Sequence, residues 1–307
     1  MKLQHVIESQ QFTLPMLVEL FDVADQMERI LSHGGTLDYQ NKIMASLFYE
    51  HSTRTRFSFE SAMYRLGGRV LSTERANTFS SVAAGETLED TIRVVGNYAD
   101  VIILRHNEVG GAARAAKVSS VPVINAGDGK GGQHPTQALL DLYTIYKGVK
   151  TIEGVKVALV GNLTDGRTVR SLAYLLGKFE RVKIYFVAPH SFQIKQDIQD
   201  YLTKHNVWFA LESNLKKVLP EVDVVYSTRI EPELLTQKGE RLETITQYFI
   251  DDTLLKLLPL HALVMHPLPR LHEISPSVDS DPRAAYFKQT RNGVLIRMAL
   301  LAAALGY

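Results

Sequence analysis

Short apolar runs alternate with polar, turn-rich segments along the whole chain. We interpret the runs as buried strands, because continuous apolar stretches suit a parallel sheet that is covered on both faces. The predicted strands cover residues 43–49, 69–74, 101–106, 121–125, 156–162, 182–189, 207–211, 222–229 and 262–270. The segments between them have helical spacing, and the predicted helices cover residues 12–31, 53–66, 88–98, 134–146, 168–179, 191–204 and 292–305. This alternation predicts an α/β fold of two doubly wound domains, each with a mainly parallel sheet.

The helix after the first strand is the one whose buried face is easiest to assign from its apolar residues. Its spacing predicts that Phe57, Met63, Tyr64 and Leu66 face the core. A glycine pair follows directly and is expected to end the helix.

Composition and charge narrow the class of protein further. A chain of 307 residues with 45% hydrophobic content suggests two globular domains. The net charge is +1, so nothing favours nucleic acid or an anionic membrane as a partner. The sequence has no cysteine, which excludes disulfides, thiolate metal ligands and a cysteine nucleophile. No signal pattern or long apolar span is present, so we expect a cytoplasmic location, or an organelle if a transit peptide was removed.

A cluster of anion-binding side chains stands where the first strand gives way to a helix. Ser52, Thr53, Arg54 and Thr55 occupy four consecutive positions there. The N–H groups and the dipole of a helix N-terminus attract anions, and the forked arginine donor suits phosphate oxygens. The alternative interpretation is an ordinary serine cap followed by solvated arginines. A nucleotide P-loop is excluded because its GxxxxGK[ST] pattern is missing.

Four further polar residues follow predicted strands or open predicted helices. They are Arg105, His134, Arg167 and Arg229. Ligands of open parallel sheets bind beyond the carboxyl ends of the strands, so we expect these residues to meet in one cleft. Two arginines suit a dicarboxylate, because each guanidinium can bind one carboxylate. The alternatives are a structural histidine, solvated arginines, or arginines paired with protein carboxylates such as Glu50. GxGxxG is absent, so a dinucleotide cofactor is not expected.

These motifs resemble those of a known enzyme family. The segment STRTR after a strand resembles the carbamoyl-phosphate motif of the aspartate and ornithine transcarbamoylases. The later segments HPTQ, GRTVRSL, HPLPR and DPRAAYFKQTRNGVLIRMALL resemble the catalytic chain of the aspartate branch. The similarity runs through nearly all of the chain.

The resemblance implies a domain layout and a reaction. Residues 1–134 plus 291–307 would bind carbamoyl phosphate, and residues 135–290 would bind the amino acid. A helix would join the two domains, and the C-terminal helix would return to the first. The implied enzyme transfers the carbamoyl group of carbamoyl phosphate to L-aspartate, giving N-carbamoyl-L-aspartate and phosphate in de novo pyrimidine biosynthesis. It uses no cofactor and no metal.

The resemblance also assigns roles to individual residues. Those expected to bind carbamoyl phosphate are Ser52, Thr53, Arg54, Thr55, Arg105, His134, Gln137, Pro267 and Leu268. Those expected to act catalytically are Arg54, Thr55, Arg105 and His134. Those expected to bind aspartate are Arg167, Arg229 and Glu231. We also predict a cis peptide bond between Leu268 and Pro269, which would aim backbone carbonyls at a substrate N–H group.

Three positions depart from the family pattern. The family shares its sites within a homotrimer, so Ser80 and residue 84 are expected to come from a neighbouring subunit. Ala84 stands where the family has a lysine, which implies a natural low-activity or inactive homologue, an engineered change, or compensation by another cation. Asn162 replaces an aspartate, and Glu231 replaces a glutamine. The alternative functions are therefore transfer to another acidic amine, or an inactive homologue. Regulatory chains and fusion to pathway enzymes are not readable from the sequence.

Overall fold

The computed structural model describes residues 2–74, 85–230, 234 and 245–306. Two compact units form, Met1–Leu140 with Thr290–Tyr307 and Asp141–Gln289, here called unit 1 and unit 2. Each unit contains one sheet whose strands are all parallel. The predicted α/β fold with two mainly parallel sheets is confirmed.

Unit 1 is built on a sheet with the strand order β2-β1-β3-β4. Its strands are β1 (Ile43–Phe48), β2 (Arg69–Glu74), β3 (Val101–Arg105) and β4 (Val123–Asn125). Its helices are α1 (Leu14–Ser32), α2 (Thr53–Arg65), α3 (Leu88–Val95) and α4 (Gly111–Val118). Because β1 has β2 on one side and β3 on the other, the order of the sheet reverses between β1 and β3. Ligands of doubly wound sheets bind at such a point.

Unit 2 is built on a sheet with the strand order β7-β6-β5-β8-β9. Helix α5 (Pro135–Val149) leads into this unit from unit 1, and α10 (Tyr286–Leu305) leads back. The strands are β5 (Lys156–Val160), β6 (Lys183–Val187), β7 (Trp208–Glu212), β8 (Val224–Ser227) and β9 (Leu263–Met265). The remaining α-helices are α6 (Arg167–Leu176), α7 (Gln196–Lys204), α8 (Leu215–Val218) and α9 (Asp252–Leu255). Here the strand order reverses between β5 and β8.

The buried face of α2 differs from the predicted one. Met63 is fully buried as expected, but Phe57 and Tyr64 are 54% and 61% exposed. The face that meets the core instead carries Phe59 and Ala62, which lie four and one positions before Met63. This spacing places them on one helical stripe, and the small Ala62 allows close packing. The prediction for Phe57 and Tyr64 was therefore wrong, because these two residues share a different stripe of the helix from the one that carries Phe59, Ala62 and Met63.

The local sequence explains where α1 begins, and it also explains why one helix was not predicted. Thr13 caps α1, since its hydroxyl accepts a hydrogen bond from the N–H group of Met16. Helix α4 was not predicted, because an alanine-rich stretch of eight residues gives little periodic signal. The predicted helix 191–204 is broken into a 3-10 turn, His190–Phe192, and α7. None of the helices in the described parts of the chain is both long and apolar enough to cross a membrane.

Candidate active-site residues

The N-terminus of α2 has no acidic residue in its first turn. Ser52 is the residue before the helix, and its side chain makes no capping hydrogen bond, so the ordinary serine-cap interpretation does not hold. Thr53 and Arg54 are exposed, whereas Thr55 is buried. Arg56 lies apart from this group, because its guanidinium is 3.0 Å from the carboxylate of Glu74. The first turn therefore carries hydroxyl, guanidinium and backbone N–H donors and has no acidic residue within it.

Arg105 and His134 lie side by side around Gly127. A Cβ atom built on Gly127 would be 2.7 Å from Nη1 of Arg105 and 3.4 Å from Cδ2 of His134. The backbone of Gly127 has a φ of +121°, which a larger residue rarely adopts. Arg105 and His134 are 8% and 4% exposed, so both polar groups are held in a largely desolvated place. The two polar side chains therefore lie close together beside the backbone of Gly127.

A backbone carbonyl and a carboxylate hold the guanidinium of Arg105 in place. Its Nη1 donates to the carbonyl of Ala126 at 3.1 Å, and its Nη2 lies 3.2 Å from the carboxylate of Glu50. The loops are also tied together by backbone hydrogen bonds. The N–H group of Tyr49 donates to the carbonyl of Arg105, and the N–H group of His106 donates to the carbonyl of Gly127. Glu50 was one predicted partner of the unit 2 arginines. In this structure the carboxylate of Glu50 pairs with Arg105.

The loop between β4 and α5 is fixed by Asp128. Its carboxylate accepts from the N–H groups of Gly110 and Ala112, each at 3.2 Å, and so caps α4. His134 immediately precedes α5, and Gln137 lies half-buried in the first turn of that helix. The loop therefore brings His134 to the carboxyl end of the sheet and leaves Asp128 committed to a structural bond.

In unit 2, Arg167 and Arg229 follow neighbouring strands at the point where the strand order reverses. Arg167 is the first residue of α6, and Arg229 comes two residues after β8. Asn162 N–H donates to the carbonyl of Arg229 at 3.3 Å, which ties the ends of β5 and β8 together. Both arginines are half-buried. The side-chain oxygen of Asn162 is buried and has no hydrogen-bond partner among the described residues.

The turn after β9 contains the predicted cis bond between Leu268 and Pro269. His266 organises this turn, because its Nδ1 accepts from Leu268 N–H at 2.8 Å and its Nε2 donates to Glu273 at 2.8 Å. The other oxygen of Glu273 accepts from the N–H group of Leu271 at 3.1 Å. Burial lowers the pKa of His266, and the positive charge of Arg229 adds to that effect. The ring is therefore neutral, and its two nitrogens have opposite hydrogen-bonding roles.

This neutral histidine predicts a pH-dependent stability. The pKa of His266 is lowered from 6.5 in the folded chain, so the unfolded chain takes up the proton first as the pH falls. The free energy of unfolding should therefore decrease below about pH 6.5, and His266→Asn should lose this part of the decrease. Urea unfolding of the native protein and of His266→Asn at about pH 7.5 and about pH 5.5 measures this decrease. The other histidines are common to both proteins, so their contribution cancels in the comparison. Equal losses in the two proteins would contradict the expectation.

Three of the sequence-predicted site residues, Ser80, Ala84 and Glu231, lie outside the described residues. The sequence analysis in turn missed the contacts that hold the site, among them Gly127 beside Arg105 and the ring of His266. A glycine-rich loop after a strand was the available signal for Gly127, but it does not say which side chain comes close. His266 is the first residue of HPLPR, and the prediction for that segment was based on its prolines.

Comparison with known proteins places the chain among carbamoyltransferases. It is 53% identical to the chloroplastic aspartate carbamoyltransferase of Oryza sativa subsp. japonica, over 98% of this chain and 85% of that protein. It is 44% identical to the aspartate carbamoyltransferase catalytic subunit of Thermoplasma acidophilum, over 100% of this chain and 99% of that one. The structure matches aspartate transcarbamoylase from Trypanosoma cruzi in complex with carbamoyl phosphate and aspartate, with a TM-score of 0.92, 38% identity, and coverage of 99% and 96% of the two chains.

The family match extends over both halves of the sequence. Residues 4–147 match the carbamoyl-P binding domain of the aspartate/ornithine carbamoyltransferases, and residues 153–304 match their Asp/Orn binding domain. The resemblance seen in the sequence motifs is thereby confirmed. The chain belongs to the aspartate/ornithine carbamoyltransferase family.

Proposed function

We propose that the protein transfers the carbamoyl group of carbamoyl phosphate to the amine of L-aspartate, giving N-carbamoyl-L-aspartate and phosphate in de novo pyrimidine biosynthesis. The observation that carries this proposal is the pair of buried donors, Arg105 and His134, around Gly127. They belong to the same sheet end as the uncapped N-terminus of α2. The names of the relatives from rice and Thermoplasma, and the ligands of the Trypanosoma cruzi structure, support the same reaction.

Carbamoyl phosphate is assigned to the unit 1 residues by charge and hydrogen-bonding capacity. Ser52, Thr53, Arg54 and Thr55 would hold the phosphate through hydroxyl, guanidinium and backbone N–H donors. The carbonyl oxygen would face Arg105, His134 and the hydroxyl of Thr55. Gln137 would bind the amide, and the backbone carbonyls of Pro267 and Leu268 would accept from a substrate N–H group.

The chemical step is attack of the neutral α-amine on the carbonyl carbon. A C–N bond forms, the carbonyl oxygen becomes negative, and the bond from carbon to the phosphate oxygen then breaks. Arg105, His134 and Thr55 stabilise the developing charge; one such donor contributes about 10²–10³ in rate. The leaving phosphate can take the amine proton, so the step needs neither a protein base nor a covalent intermediate. Holding both substrates in register supplies much of the remaining acceleration.

Arg167 and Arg229 would select the acceptor by its two carboxylates. Each guanidinium can form a forked pair with one carboxylate, and a hydrogen bond to a charged group contributes about 1.5–3 kcal/mol. An amine with one carboxylate would lose one of these pairs. Glu231, which stands two residues after Arg229 in the sequence, would contribute to the choice of acceptor.

The proposal includes an assembly and a location. We propose a homotrimer in which Ser80 and residue 84 of one subunit complete the site of its neighbour. We propose a cytoplasmic location, with an organelle as the alternative, because the relative from rice is named chloroplastic.

A second candidate function is transfer to a different acidic amine. The departures at Asn162 and Glu231 favour it, since both change the charge near the proposed acceptor arginines. A panel of aspartate, glutamate and ornithine, assayed with carbamoyl phosphate, separates the candidates. We expect ureido product with aspartate and none with ornithine. Product with ornithine or with glutamate alone would overturn the assignment of aspartate.

The alanine at position 84 leads to a prediction from the sequence. Restoring a cation with Ala84→Lys should raise kcat by about 10²-fold, because one donor to the transition-state charge is worth that much. Ala83→Lys, which adds the same charge one residue away, serves as the matched control and should have no such effect. Turnover of the native chain and both variants is measured side by side. An already high native kcat that Ala84→Lys leaves unchanged would show that another cation compensates.

A further inference from the structure

A chain of buried polar side chains runs through unit 2 with Asp141 at its centre. One oxygen of Asp141 accepts from the hydroxyl of Tyr226 at 2.7 Å, and the other accepts from Nε2 of Gln289 at 2.6 Å. Asp141 and Tyr226 are fully buried, and Gln289 is 2% exposed. The three residues come from α5, β8 and α10, so the carboxylate joins elements that are distant in sequence.

The two ends of this chain reach two elements of the proposed site, the turn after β9 and the first turn of α6. Oε1 of Gln289 accepts from the N–H group of His266 at 3.0 Å, at the start of the turn that contains the cis bond. At the other end, the hydroxyl of Tyr226 is hydrogen-bonded to the side chain of Thr168, the residue after Arg167. We call Thr168, Tyr226, Asp141, Gln289 and the N–H group of His266 the Asp141 chain.

A carboxylate suits the centre of the Asp141 chain for a simple chemical reason. It is acceptor-only when ionised, and the hydroxyl of Tyr226 and the amide of Gln289 both point donors at it. Burial raises the pKa of Tyr226 well above 10.0, and the charge of Asp141 adds to this, so the tyrosine keeps its proton and remains a donor. An asparagine at residue 141 has the same shape, but its NH₂ group would face either the hydroxyl of Tyr226 or the amide NH₂ group of Gln289, and both of these are donors. One link would then be lost.

We propose that Asp141 is a positioning residue for the acceptor half of the reaction. It touches no substrate in this account; through Tyr226 and Thr168 it fixes the first turn of α6, and through Gln289 it fixes the turn that begins at His266. The inference rests on the proposed function, because that proposal assigns Arg167 to acceptor binding and the backbone carbonyls of the turn after β9 to a substrate N–H group. The sequence signal was a single acidic residue inside the apolar stretch ALLDLYTIY of α5.

The position of the chain predicts a selective kinetic effect. In Asp141→Asn, KM for aspartate should rise about tenfold and kcat should fall about tenfold, because misplacing a binding group by a fraction of an ångström is costly. Binding of carbamoyl phosphate should change less than about twofold, since its charged phosphate and its carbonyl are bound by residues outside the Asp141 chain, and only its N–H group meets the turn that the chain fixes. A role confined to stability would lower the urea midpoint and leave both kinetic constants in place.

The matched control is Asp223→Asn, which removes another carboxylate from unit 2. Asp223 precedes β8 and accepts from Lys156 N–H at 2.9 Å and His261 at 2.9 Å, at the opposite end of the strand from Arg229. We expect Asp223→Asn to lower the free energy of unfolding without changing KM for aspartate. If Asp141→Asn does not fold, Tyr226→Phe removes a single hydroxyl from the chain and takes its place in the test.

Binding measurements keep this inference separate from the proposed reaction. Succinate has both carboxylates of aspartate and no amine, so calorimetry with succinate reports on the acceptor site without turnover. We expect succinate to bind the native protein and to bind Asp141→Asn about tenfold more weakly, with carbamoyl phosphate affinity unchanged. Failure of the native protein to form carbamoyl-aspartate would overturn the proposed function. A native succinate affinity in Asp141→Asn, or an equal loss of carbamoyl phosphate affinity, would overturn the role of Asp141.

Discussion

Replacing Arg105 with alanine is expected to lower kcat/KM for carbamoyl phosphate by about 10³-fold, since two hydrogen bonds to a charged group contribute roughly 3–6 kcal/mol together. The guanidinium is held by the carbonyl of Ala126 and lies beside His134 around Gly127. Steady-state kinetics at saturating aspartate measure the effect. Most of the loss should appear in kcat, because the charge on the carbonyl oxygen develops in the transition state.

The control for this variant is Arg114→Ala. Arg114 lies on α4 of the same unit and pairs with Glu89 and Glu108, each at 2.8 Å, on an exposed surface. Exposed pairs contribute about 0–1 kcal/mol, so this variant should keep nearly native kinetics. The Arg105→Lys variant keeps the charge without the fork and should fall between the two. If Arg105→Ala retained kcat/KM within about fivefold, Arg105 would not be part of the catalytic group.

The second large effect is expected at Arg229. In Arg229→Gln, kcat/KM for aspartate should fall about 10³-fold, because a forked pair with one substrate carboxylate is lost and its partner charge stays unpaired. The affinity for carbamoyl phosphate, measured by calorimetry, should be unchanged. The comparison variant is Arg181→Gln, which removes the same charge from an exposed position before β6. An equal loss for aspartate and carbamoyl phosphate would mean that Arg229 acts on the structure and not on the acceptor.

Much of the fold could be predicted because strand ends carry strong local signals. The apolar runs at β1, β3 and β5 end in polar residues, and the structure places those ends where the strand order of each sheet reverses. The cis bond before Pro269 was predicted from two prolines around a single leucine, and it is confirmed. The face of α2 was predicted wrongly for Phe57 and Tyr64, because the four apolar residues chosen do not lie on one stripe of the helix and only the stripe with Met63 is buried.

The site residues stay predictions from the sequence, whereas the contacts that hold Arg105 and His266 in place could not be predicted from it. Arginines, hydroxyls and a histidine at strand ends stand out in a single sequence. The pairing of Arg105 with Glu50 joins residues that are far apart along the chain, and so does the bond between Asp141 and Gln289. Such pairings depend on the packing of elements and leave no periodic trace. The roles given to Ser80, Ala84 and Glu231 stay predictions, because those residues lie outside the described part of the chain.

The central claim is that a bond forms between the carbamoyl carbon and the amine nitrogen of aspartate. The most direct test incubates the native protein with ¹³C-labelled carbamoyl phosphate and ¹⁵N-labelled L-aspartate and follows the product by NMR. We predict a ureido carbon signal split by one-bond coupling to ¹⁵N, growing together with free phosphate. Release of phosphate without a coupled carbon signal, or a coupled signal only when ¹⁵N-labelled ornithine replaces aspartate, would contradict the account.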